Sequence, residues 1–225
     1  ADNGIHMGWP RRTSAIGMTG SEARPATTGG NTYEQNVGLL EKIFSDAVAY
    51  AAIEKPLNAN LRLESLRGLF NGSRILFITA PDPKGIIASV SFARRFNVKK
   101  IVLVNADESA WLVKDFLKEN NIPVIIANTL SLPRYESGDI RMPFKLAYLF
   151  VREGILTGLS YTSQAYPNLP FAAGQTVPYG LSKEEALQLV TINNAKILGI
   201  DDRTGTIAKG KDANIVVSSG DILDM

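Results

Sequence analysis

Four short, largely apolar segments, each followed by a helical pattern, constrain this chain more than any other feature. They lie near residues 74–79, 100–105, 123–127 and 155–160. A run such as Ile75, Leu76, Phe77 and Ile78 does not alternate with polar residues, as expected for a strand buried on both faces. Helical patterns follow at 86–96, 109–118 and 143–152. Strands that alternate with helices imply parallel βα units joined by right-handed crossovers.

The flanks read differently. Residues 1–32 contain Gly8-Trp9-Pro10 and Thr27-Thr28-Gly29-Gly30, which is turn and loop chemistry, and are expected to be irregular. From Tyr33 onward Val37, Leu40, Ile43, Phe44, Ala47 and Tyr50 recur at helical spacing until Pro56, with Phe44 and Tyr50 read as core packing. A second helix over 61–70 stops at Asn71-Gly72, and a third covers 169–179. Ser182 and Glu185 have capping-box spacing, and the helix they open runs through Ala186, Leu189 and Val190 to Leu198, with Gly199 as its stop. The tail from Gly205 to Val217 reads as two short strands around a turn at Gly210-Lys211-Asp212. The expected divisions are a loop segment at 1–32, βα units over 33–200 and a small β segment over 201–225.

Composition removes several classes of function. A formal net charge of +2 with scattered basic pairs, Arg11-Arg12, Arg94-Arg95 and Lys99-Lys100, read as solvated surface, argues against nucleic acid as a partner. No apolar run approaches the roughly 18 residues of a membrane span, and residues 1–10 lack the charged start and apolar stretch of a signal peptide. The absence of cysteine excludes disulfides and thiolate chemistry and suits the cytoplasm or the periplasm equally. No Gly-x-Gly-x-x-Gly follows a strand, and Gly210-Lys211-Asp212 lacks the spacing and hydroxyl of a nucleotide-binding loop.

The most specific pattern is at the C-terminus. Thr191, Asn193-Asn194-Ala195 and Leu198-Gly199 lead into Gly205-Thr206-Ile207 and then Gly210-Lys211-Asp212-Ala213-Asn214-Ile215-Val216-Val217. Together with Asn168-Leu169-Pro170-Phe171 and the βα units, this resembles the C-terminal half of the amidohydrolase superfamily, especially its imidazolonepropionase-like members. Asn214 stands where that family usually has aspartate. The resemblance implies an α/β fold, the C-terminal portion of a (β/α)8 TIM-like barrel with a small accessory β segment. It also implies a metal-dependent hydrolase whose divalent ions, held at the strand ends, polarise a carbonyl and lower the pKa of a bound water. Family ligands are a His-x-His pair after the first strand, histidines after the fifth and sixth, and an aspartate after the eighth.

This chain departs from that pattern. It holds one histidine, His6, in a stretch read as surface or packing. The run at 74–79 looks like the fifth strand but leads into Thr79-Ala80-Pro81-Asp82, and the apparent sixth leads into Asn105-Ala106-Asp107-Glu108. After the apparent eighth come Ser160, Thr162 and Ser163, with no histidine downstream to activate a hydroxyl. Asp82, Asp107 and Glu108 suit an oxygen-only magnesium site, but carboxylates just before helices serve more often as caps, and that reading is favoured. The candidate barrel-mouth residues are Thr79, Asp82, Asn105, Asp107, Glu108, Thr162 and Ser163.

Four strands cannot close a barrel. The expected partners are therefore a missing N-terminal half or a second barrel chain, with a homo-oligomer as a further option. The function expected is that of a non-catalytic relative, a pseudoenzyme with a degenerate metal site that acts as scaffold, partner subunit or binding module and takes no cofactor from this chain. The alternative is part of an active hydrolase of cyclic amide-like C–N bonds. There, zinc would be held partly by ligands from the missing half.

Overall fold

Five parallel strands pair in chain order to form a single sheet: β1 (Gly4–Gly8), β2 (Ile75–Thr79), β3 (Ile101–Ala106), β4 (Val124–Ala127) and β5 (Thr157–Ser160). The computed structural model describes residues 3–12, 32–127, 129, 131, 138–161 and 168–224. A doubly wound domain reverses its strand order at a switch point. Here the order never reverses, which is the winding of a barrel arc.

β1 corrects the expectation of irregularity at residues 4–8; residues 13–31 of that segment lie outside the described residues. Gly4 pairs with Ile75 and the register continues to Gly8 opposite Thr79. Its propensity is poor, with glycine at both ends and His6 at the centre, but pairing and burial outrank propensity in a strand. Ile5, Met7 and Trp9 share one face; Met7 and Trp9 are buried and Ile5 packs against them. On the other face His6 stacks on Phe77 with ring centroids 4.9 Å apart. Gly4 is required there, since a Cβ would meet the Phe77 ring at 2.4 Å.

The helices are α1 (Tyr33–Ala51), α2 (Leu61–Asn71), α3 (Pro83–Arg95), α4 (Glu108–Trp111), α5 (Lys114–Glu119), α6 (Met142–Arg152), α7 (Leu169–Gly174), α8 (Lys183–Val190) and α9 (Ile192–Leu198). Both halves of the Ser182–Glu185 capping box form at α8, and Gly72 and Gly199 close α2 and α9 in the left-handed conformation. Three single helices of the sequence reading are each divided. Residues 109–118 form α4 and α5, 169–179 form α7 and a 3-10 turn at Val177–Tyr179, and the C-terminal helix breaks at Thr191.

One face of the sheet carries the main core. Leu76, Ile78, Leu103 and Ile126 pack with Phe44, Val90 and Phe150, and Phe44, Phe92, Phe96 and Trp9 form a chain of ring contacts. On the opposite face Ile75, Phe77 and Val102 are buried with Ile197 of α9. Leu156 accepts a hydrogen bond from Val124 of β4, so the alternating carbonyls of Thr157 and Leu159 face the outer edge. The amides of Asn193 and Asn194 donate to those two carbonyls at 3.0 and 2.8 Å. At the far end of α9, Asn3, just before β1, donates to the Leu198 carbonyl at 3.1 Å.

Among the described residues no strand follows α9, so the two expected tail strands are absent. The segment is held by contacts such as Arg203 to Asp212 at 2.8 Å, while Ile207, Val216 and Val217 stand exposed. A strand requires a ladder partner, and none of the described residues supplies one. Beside this segment a groove of about 730 Å³ opens along α8 and α9. No helix among the described residues is long and apolar enough to cross a membrane.

Candidate functional site at the strand tops

The C-terminal ends of β1, β2 and β3 meet at one level. The Trp9 amide extends the β1–β2 pairing by donating to the Thr79 carbonyl at 2.8 Å. β3 then breaks register between Val104 and Ala106, and Asn105 adopts φ 55°, a left-handed conformation that asparagine tolerates better than most residues. The irregularity leaves Asn105 exposed between two partly or fully buried neighbours. A cavity of about 310 Å³ sits over these ends, lined by Trp9, Arg11, Thr79, Pro81, Asn105 and Asp107 among others.

The carboxylates here are engaged with backbone. Asp82 is the N-cap of α3, its Oδ1 accepting from the Gly85 amide at 2.8 Å, with Pro83 opening the helix behind it. Asp107 caps α4 in the same way, accepting from the Ser109 amide at 2.8 Å. Glu108 is buried in the first turn of α4, where a negative charge meets the positive end of the helix dipole. Asp82 and Asp107 thus adopt the capping role favoured from sequence, whereas Glu108 lies inside the first turn of α4.

Of the seven candidate residues, the structure brings Thr79, Asn105 and Asp107 to the cavity and puts Asp82 and Glu108 on helix starts beside it. Thr162 and Ser163 lie outside the described residues. Ser160 ends β5 at the sheet's other edge.

Two lining residues were missed from sequence. Trp9 is 6% exposed, and its Nε1–H has no acceptor among the described residues. Its indole packs edge-on against Phe92, and its Cδ1 would lie 3.4 Å from a Cβ at Gly85. Arg11 lines the cavity and forms no ion pair among the described residues. The available signal was the alternation of Ile5, Met7 and Trp9, which marks a strand and puts Trp9 and Arg11 at its end.

This donor set does not fit the family's metal centre. Thr79 and Asn105 offer weak neutral oxygens, the two aspartates spend lone pairs on helix caps, and Arg11 adds a positive charge that repels a cation. His6 lies mid-strand, two residues before the end of β1. Among the described residues no three His, Cys, Asp or Glu side chains come together as a metal-binding group.

Comparison with known proteins adds a lineage to this geometry. Residues 162–225 match the amidohydrolase family. Over 51 residues the chain is 49% identical to the imidazolonepropionase of Thermoplasma volcanium, a stretch covering 22% of this chain and 13% of that protein. Its structure resembles that of an amidohydrolase from Thermotoga maritima MSB8, with a TM-score of 0.72 at 24% identity over 86% of this chain and 52% of that one. It also resembles an uncharacterized protein with a TM-score of 0.52 at 14% identity, covering 74% of this chain and 44% of the other. The chain thus spans about half the length of the solved structures it matches.

Proposed function

We propose that this chain, which matches the amidohydrolase family over residues 162–225, is the C-terminal arc of a barrel whose mouth binds a ligand without metal-assisted hydrolysis. The observation that carries this reading is the cavity over β1, β2 and β3. A guanidinium with no ion pair among the described residues lines it, and Asp107 on its wall and Asp82 beside it are committed to helix caps. Hydrolysis in this superfamily depends on generating hydroxide at a metal. A cavity with Arg11 on its wall favours an anionic or polar guest instead.

Five strands leave three of an eight-stranded barrel to be supplied from elsewhere. We assign these to an N-terminal half of the same protein or to a second barrel chain. The uncovered side chains of Ile207, Val216 and Val217 support this, because isolated exposure of so many β-branched residues in one segment is unusual unless a partner buries them.

Metal analysis of the full-length protein tests the reading. The expected result is less than stoichiometric metal and a melting temperature indifferent to chelators. Stoichiometric zinc that is lost in Asp82→Asn or Asp107→Asn, substitutions that keep a capping side chain, would instead make the chain part of a hydrolase of cyclic amide-like C–N bonds, with further ligands from the missing half.

A further inference from the structure

Asparagine followed by glycine occurs twice in this chain, at Asn3-Gly4 and Asn71-Gly72. Such a pair is chemically labile in water, because a glycine has no side chain to hinder attack of its amide nitrogen on the asparagine side-chain carbonyl. The fold treats the two pairs differently. Asn3 is held at both ends: its backbone carbonyl accepts from the Ile75 amide at 3.0 Å, and its side-chain amide donates to the Leu198 carbonyl at 3.1 Å. Asn71 is the exposed last residue of α2, and Gly72 follows it with φ 82°. The Gly72 N–H has no hydrogen-bond acceptor among the described residues. The Ser73 N–H donates to Asn71 Oδ1 at 2.9 Å. An accessible amide, an unhindered nitrogen with no bond to break, and a donor aimed at the oxygen that gains charge during attack therefore meet at one point.

Two other asparagines show that this arrangement is particular to Asn71. Asn97 and Asn121 are also exposed and lie just beyond α3 and α5, with φ 58° and 52°. Each precedes a β-branched residue whose amide is tied, Val98 to the Ala93 carbonyl at 3.0 Å and Ile122 to the Leu117 carbonyl at 2.9 Å. Their following nitrogens are both shielded and engaged.

We propose that Asn71 is a self-modifying site, converted in water to aspartate and isoaspartate through a cyclic imide. The Gly72 nitrogen gives its proton to hydroxide and bonds to Asn71 Cγ, while the Ser73 N–H stabilises the oxyanion on Oδ1. The side-chain nitrogen takes a proton from solvent and leaves as ammonia. Water then opens the ring at either carbonyl, so that one water is consumed and one ammonia released with no change of oxidation state. Closure of the ring needs the last turn of α2 to open, and helix ends fray. Rotation about the Asn71 ψ bond breaks no hydrogen bond at Gly72. Isoaspartate adds a methylene to the main chain between α2 and β2. The Arg74 amide reaches the Gly68 carbonyl there at 2.9 Å, and the Lys99 amide reaches Leu69 at 3.1 Å. Both products also put a carboxylate at the negative end of the α2 dipole. Ageing at Asn71 thus loosens this junction, independently of what the barrel mouth binds.

The experiment ages the full-length protein at mildly alkaline pH, once native and once in urea. Peptide mapping by mass spectrometry reads each asparagine, and an isoaspartyl methyltransferase with labelled S-adenosylmethionine marks isoaspartate. In the native protein Asn71 converts at least ~10-fold faster than Asn3, a barrier difference of about 1.4 kcal/mol, and Asn97 and Asn121 persist. In urea Asn3 and Asn71 convert at similar rates. The native rate at Asn71 rises with pH, because the Gly72 nitrogen must lose its proton. Ageing lowers the melting temperature of wild type but not of Asn71→Gln, whose longer side chain closes a six-membered ring less readily. The assignment is overturned by equal native rates at Asn3 and Asn71, by an Asn71 that outlasts Asn97 or Asn121, or by ageing that lowers the melting temperature of Asn71→Gln as much as that of wild type.

Discussion

Arg152, in the last turn of α6, holds both carboxylate oxygens of Glu185 in the first turn of α8, with Nη1 2.6 Å from Oε1 and Nη2 3.1 Å from Oε2. The same carboxylate accepts the Ser182 amide at 2.8 Å to complete its capping box. The guanidinium first, and then the Ser182 amide, hold the Glu185 carboxyl at about 2, below its ordinary 4.5. A depressed carboxyl stabilises the folded state above its unfolded pKa, and the contribution is lost as pH falls through the folded value. Stability is therefore expected to decline between about pH 4.5 and pH 2 partly through this group. Glu185→Gln keeps the capping-box geometry and should flatten that decline, as read from urea denaturation at stepped pH. An unchanged profile in the variant would remove Glu185 from the account.

Gly158 and Asn194 share one space. A Cβ at Gly158 would lie 2.0 Å from Asn194 Oδ1 and 3.1 Å from Ile197 Cδ1. Gly158→Ala is expected to lower stability by about 1–3 kcal/mol through overpacking. Asn194→Ala removes the donor to the Leu159 carbonyl but also clears the obstruction. The double variant should therefore cost less than the two single losses combined, and a denaturation-based double-mutant cycle measures the difference. Strict additivity would contradict the contact.

The caps give a graded test. Asp82→Ala should cost about 1 kcal/mol and Asp82→Asn only a few tenths, because asparagine accepts from the Gly85 amide equally well. The same ratio is expected at Asp107, checked by thermal denaturation with chelator present. A larger loss in the asparagine variants that depends on added metal would assign the carboxylates to a different task.

Val217 is 90% exposed and Ile207 89% exposed in this structure. If a partner segment buries them in the full-length protein, Val217→Asp or Ile207→Asp will lower stability by about 2 kcal/mol or more through an unpaired buried charge. Surface positions tolerate such changes within about 0.5 kcal/mol. An effect that small in the full-length protein would leave the tail uncovered and sink the partner assignment.

Strands β2, β3 and β4 were legible because each is built on an apolar run that no other element explains, and the edge strand β5 because the segment 155–159 continues their alternation with helices. β1 was not, because five residues rich in glycine carry too little local signal, and its partner β2 lies far along the chain. The split at Thr191 was hidden for a different reason. The hydrophobic period continues from Leu189 to Ile197, while the chain turns so that Ile197 reaches the opposite face of the sheet. Asp82 and Asp107 were readable as caps from their position before Pro83 and Glu108, whereas Arg11 drew notice only as half of a basic pair. Its place in the cavity follows from β1, so missing the strand meant missing the residue.

α9 touches both margins of the sheet, reaching Asn3 beside the first strand and the outer carbonyls of the last. It works as a clasp. A polypeptide cut before Ile192 would release both contacts together and leave the Thr157 and Leu159 carbonyls of β5 bare, open to a strand that completes the arc or to any stray one in solution. Seven residues thus guard this arc against self-association, and their loss should be felt first in solubility.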